Sequence, residues 1–68
     1  MENEQWGRRI RAFRKLKGYT QEAFAHTLGI SISVLGEVER GTRVPTEELI
    51  EKIATALQIS KDELTSNK

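Results

Sequence analysis

The stretch from Gln21 to Arg40, QEAFAHTLGISISVLGEVER, decides how the rest of the chain is read. Its apolar residues form two short groups, Phe24, Ala25 and Leu28 before Gly29, and Leu35 and Val38 after it. Separations of three and four residues put each group on one face of a helix. Thr20 stands ahead of the first group as an N-cap, and Ser31 or Ser33 can cap the second, because their hydroxyls accept from backbone N–H groups left over at a helix start. Gly29 lies between them, where a turn with positive φ strains any residue carrying a Cβ, and Gly41 closes the second helix in the same way. The segment therefore reads as two short helices joined by a tight turn. Ala25 is small where the helices cross, and Phe24, Leu28, Ile30, Leu35 and Val38 fix their angle. Ser31, Ser33, Gly36, Glu37 and Arg40 are small or polar where the second helix is expected to face outward.

The flanks read as helix too. Upstream, Trp6, Ile10, Phe13 and Leu16 recur at four, three and three residues, an apolar stripe that stops at Gly18. Downstream, Gly41 to Pro45 is a loop, and Thr46 caps a further helix with Glu47 and Glu48 in its first turn and Leu49, Ile50, Ile53 and Leu57 as its stripe. Ser60 followed three residues later by Glu63 has the form of a capping box and starts a short helix through Leu64. The expectation is an all-α fold of five helices forming a single domain over 1–68, with the paired helices at about 21–40 and frayed ends at about 1–4 and 66–68.

Sixty-eight residues allow one small domain, which buries only about 60% of its chain surface. With no cysteine, disulfides and thiolate metal sites are excluded. No apolar run reaches the ~18 residues of a membrane span, and the polar start from Met1 to Gln5 is unlike a secretory signal. His26 is the single histidine; with no second histidine or cysteine to share a metal, it is expected to face solvent. Trp6 and Phe13 lie on the apolar stripe and read as core. The net charge is only +1, but residues 1–19 hold six basic side chains against two acidic ones, and residues 44–68 three against five. Such asymmetry suits a surface that meets an anion, and equally a solvated, arginine-rich helix face.

Three stretches carry a resemblance: Gly18 to Ala25 (GYTQEAFA), Glu37 to Gly41 (EVERG) and Ala56 to Ser60 (ALQIS). With them the chain, from about Trp6 to Leu64, resembles the Cro/CI-type, lambda-repressor-like helix-turn-helix (XRE-type) DNA-binding domains of phage repressors and bacterial regulators. The resemblance implies that Gln21 ties a phosphate to the recognition helix. It implies that Ser31, Ile32, Ser33 and Glu37 are the base-contacting positions, and that Gln21, Arg40, Thr42, Arg43 and Arg14 contact the DNA backbone. It also implies a structural ion pair between Arg14 and Glu39.

These roles agree with residue chemistry. A recognition helix enters the major groove N-terminus first, so its earliest exposed residues reach base edges. Ser33 both donates and accepts. Ile32 can touch a thymine methyl, or serve as a minor core residue. Gly36 either allows close approach to DNA or is simply tolerated. Glu37 is the departure from the family pattern, since many relatives carry Gln, Lys or Arg there. It can accept from cytosine N4, or pair locally with Arg40 or Arg43. Arg8, Arg9 and Arg11 can skirt the backbone or be solvated.

The expected function is that of a sequence-specific transcriptional regulator of double-stranded DNA, a repressor bound to a palindromic operator as a homodimer. The dimer contact is expected at the end of the fourth helix and the fifth, with Ile59 and Leu64 as apolar patches. The alternative is a helix-turn-helix-fold protein-interaction module, antitoxin-like, with weak or no DNA binding. Nothing pairs a nucleophile with a base or cradles a phosphate as an enzyme would. No cofactor, metal, small-molecule ligand or membrane is expected as a partner. The expected location is the cytoplasm of a bacterium, on the nucleoid, the gene being bacterial or phage-encoded.

Overall fold

The computed structural model describes residues 2–65, with side chains from Trp6 to Leu64. Five helices follow one another: α1 (Glu2–Leu16), α2 (Gln21–Leu28), α3 (Ile32–Arg40), α4 (Glu47–Leu57) and α5 (Lys61–Thr65). α1 begins at Glu2, ahead of the stripe that announced it. Of the frayed ends expected at about 1–4 and 66–68, Met1 and 66–68 lie outside the described residues.

Local chemistry sets the boundaries. Thr20, Ser31, Thr46 and Ser60 each accept a hydrogen bond from the backbone N–H three residues on, at 3.0–3.1 Å, and each such cap is worth about 1 kcal/mol. Of the two serines that could start α3, Ser31 does so. At the other end of α2, Gly29 has φ 75; its N–H donates to the carbonyl of His26 and that of Ile30 to Ala25. This pairing satisfies the last carbonyls and turns the chain sharply into α3. Gln58 makes the same turn after α4 with φ 60, as a non-glycine residue.

One core joins all five helices, with Ile10, Phe24, Leu35, Ile53, Leu57 and Leu64 almost wholly enclosed. Each such side chain contributes about 1.5–3 kcal/mol by leaving water. Tyr19 tilts against Phe24 with ring centroids 4.9 Å apart. The most extensive packing is between α1 and α3, and it differs from the expected stripe. Leu16 is 76% exposed, whereas Gly7, Ile10 and Arg14 are buried. At 100° per residue Leu16 lies about 120° around the helix from Ile10. The buried line of α1 runs through a glycine and an arginine, with Trp6 and Phe13 half-buried at its edge.

Leu64 corrects a second expectation. It is 1% exposed and belongs to the core, because α5 packs against both α1 and α4, so it offers no patch to another chain. On the outside Lys61 joins α5 to α4 by donating to Glu47 at 2.7 Å. That hydrogen bond and the attached charge hold the Glu47 carboxyl below its usual range and the Lys61 amine above its own.

Candidate nucleic-acid interface

α3 is held so that one side is core and the other is open. Leu35 and Val38 point inward, which leaves Ser33, Gly36, Glu37 and Arg40, at i, i+3, i+4 and i+7, along the opposite face. At the start of this helix Ser31, Ile32 and Ser33 are all exposed. Ile32 is 46% exposed, which settles its two sequence readings in favour of an outward apolar side chain. Thr42, Arg43 and Val44 follow in the loop, and all three are exposed. Val44 next to Arg43 is a surface apolar residue that had no assigned role from sequence.

Beneath this face lies a buried polar cluster. Arg14 from α1 donates Nε to Glu39 Oε2 at 2.7 Å and Nη2 to Oε1 at 3.2 Å, and its Nη1 reaches the carbonyl of Tyr19 at 3.0 Å. Arg14 is 6% and Glu39 8% exposed. The expected ion pair between helices one and three is thus formed with paired, two-point geometry. Gln21 at the start of α2 donates Nε2 to Glu39 Oε1 at 3.1 Å. One carboxylate therefore ties the end of α1 and the beginning of α2 to α3. No side-chain polar atom buried among the described residues lacks a partner. Arg14, expected also at the DNA backbone, engages three of its guanidinium N–H groups in these bonds and also lines the open cleft beside α3.

Glu37 is paired locally. Arg43 Nε donates to its Oε1 at 2.7 Å, with both side chains partly exposed. Thr42 is anchored through its hydroxyl to the Glu37 carbonyl at 3.2 Å. These bonds stiffen the turn from α3 into the loop and partly neutralise the one carboxylate on the outward face.

Gly36 lies on this outward face, as expected, but is itself buried. A Cβ built there would stand 3.2 Å from Arg40 Nη1 and 3.8 Å from Gln21 Nε2, so the Arg40 side chain folds back over the glycine toward Gln21. Gly36→Ala would press on Arg40 at the free end of a flexible side chain, while gaining up to about 1 kcal/mol in helix propensity. The expected result is a thermal midpoint equal to or above the parent together with weaker duplex binding, read by a melt and a titration on the same sample.

The helix-turn-helix family pattern matches residues 10–64, the span from the buried Ile10 to the buried Leu64. The chain belongs to the helix-turn-helix family of the Cro/CI kind. It is 67% identical over 64 residues to the HTH-type transcriptional regulator YazB of Bacillus subtilis (strain 168), covering 94% of this chain and 93% of that one. Among solved structures it is similar to the restriction-modification controller protein C.AhdI from Aeromonas hydrophila, with a TM-score of 0.85 and 43% identity over 90% of this chain and 92% of that one. It is also similar to the DNA-binding domain of the P22 C2 repressor, with a TM-score of 0.88 and 33% identity over 98% of this chain and 88% of that one. No helix among the described residues is long and apolar enough to cross a membrane.

Proposed function

We propose that this protein is a sequence-specific regulator of transcription that inserts α3 into the major groove of double-stranded DNA. The carrying observation is the open face of α3, with Ser31, Ile32 and Ser33 exposed at its leading end and a rigid buried cluster of Arg14, Gln21 and Glu39 behind it. An α-helix fits the major groove, and its first residues reach the base edges. Ser33 offers a hydroxyl to base edges, and Ile32 an apolar surface to a thymine methyl. Glu37 holds Arg43 toward the backbone, and Gln21, Arg40 and Thr42 complete the sugar-phosphate contacts.

The protein is proposed to act as a repressor by occupancy, as a homodimer on an inverted repeat. Half-sites on one side of a duplex lie about 34 Å apart, and the domain measures 28 × 23 × 20 Å. Neighbouring copies then meet at a narrow edge, which suits a dimer that forms on DNA. With Leu64 enclosed, half-buried Ile59 remains as the apolar contact near the end of α4. The chain has no proposed catalytic role, and its place of action is the bacterial cytoplasm, on the nucleoid.

Selection from a random duplex pool tests this reading. An enriched inverted repeat supports it, and an Ile32→Ala protein should relax its preference at one thymine position, where a base substitution ordinarily costs about 1–3 kcal/mol. A pool that shows no enrichment removes the specific-regulator reading.

A further inference from the structure

An open cleft of about 670 Å³ lies between α1, the start of α2 and the outer side of α3. Arg14, Gln21 and Glu39 line its depth, and Arg8, Arg11 and Arg40 also line it. Glu39 is the single acid in that lining, and it is already bonded to Arg14 and Gln21. Among the described residues no carboxylate forms an ion pair with Arg8, Arg11 or Arg40. Three guanidinium charges are therefore left facing one opening. Like charges one helical turn apart oppose each other, so the arrangement is best satisfied when an anion enters.

The surroundings point to a polymeric anion. Arg40 belongs at once to the cleft and to the outward face of α3, so the two surfaces are continuous. In the other direction Arg8 and Arg11 line a second, shallower depression with Ala12 and Lys15. Arg8, Arg11 and Lys15 advance about 4.5 and 6 Å along the helix axis at 1.5 Å per residue. A row of cations at that spacing matches a run of phosphates better than a single ion.

We propose that Arg8 and Arg11 join Arg40 in seating one backbone phosphate of the bound duplex in this cleft, so that α1 adds to the affinity that α3 has for DNA. This rests on the DNA-binding reading and adds two residues to it. Both arginines are exposed and neither forms an ion pair among the described residues, so an Arg8→Gln/Arg11→Gln protein should melt like the parent.

The test is a methylphosphonate scan of the selected duplex, in which each backbone phosphate in turn is made neutral. The parent should show one position beside the base-read region where neutralisation weakens binding by about tenfold, and the double variant, which keeps only Arg40 there, should lose most of that sensitivity, with a logarithmic salt slope shallower by about one. The enriched motif should be the same for both. An unchanged scan and slope in the variant would overturn the proposal while leaving DNA reading intact. Failure of the parent itself to prefer any duplex would instead overturn the reading beneath it. Displacement of DNA by inorganic pyrophosphate at constant ionic strength, seen for the parent and lost in the variant, would assign the cleft to a free phosphate and also overturn the proposal.

Discussion

Arg14→Met is expected to lower folding stability by about 3–5 kcal/mol, because it leaves the Glu39 carboxylate buried without its cation. Methionine reproduces much of the arginine stem, so packing changes little and the loss reports the guanidinium's bonds to Glu39 and to the Tyr19 carbonyl. Gln21 would remain as a neutral donor at 3.1 Å, too little to replace a two-point guanidinium. A chain of 68 residues has a total stability of roughly 3–10 kcal/mol, so urea titration should find the variant largely or wholly unfolded. The double change Arg14→Met/Glu39→Leu should recover much of the loss, since exchanging a whole buried pair for apolar residues is often neutral or stabilising. If that double variant regains its fold but positions α3 loosely, duplex specificity will fall while the melting midpoint does not. A single variant as stable as the parent would mean that the pair is solvated in the working protein.

Gly7→Ala is expected to destabilise by about 2 kcal/mol or more, although alanine is the better helix former by about 1 kcal/mol. A Cβ at this position would run into the carbonyl oxygens of Glu39 and Val38, the latter at 2.6 Å. Those atoms are backbone at the C-terminal end of α3, so no side-chain rotation relieves the overlap and the helices must separate. Separation stretches the Arg14–Glu39 pair two turns further along α1, and the two effects should couple. A double-mutant cycle of Gly7→Ala with Arg14→Met should therefore give less than the sum of the single losses. A Gly7→Ala protein with a raised melting temperature would show that α1 and α3 do not approach this closely.

What the sequence made legible was mostly local. Thr20, Ser31, Thr46 and Ser60 sit within three residues of the N–H groups they cap, and Gly18, Gly29 and Gly41 take the positive φ at the turns, so boundaries could be read from neighbours alone. The Arg14–Glu39 pair, 25 residues apart, came only through the family resemblance. Gly7 gave no signal because its partner is a backbone more than thirty residues away, and a helical glycine has no local use. Leu16 looked like core because apolar periodicity marks a face without marking its centre, and here the centre is occupied by Gly7 and Arg14. Leu64 was assigned outward because a five-residue helix has too little pattern to show which neighbours will enclose it. The burial of Gly36 on the outward face gave no signal either, since its cover is the side chain of Arg40 folding back over it.

The affinity of the purified protein for its enriched duplex and for a scrambled one, each followed across a range of salt concentrations, tests the central claim most directly. If α3 reads bases while Gln21, Arg40, Thr42 and Arg43 hold phosphates, both affinities should fall steeply with salt, and the enriched duplex should stay at least about a thousandfold tighter throughout. Equal affinity for the two sequences, or binding that barely responds to salt, would contradict it, and the latter would turn attention to a protein partner on the same face.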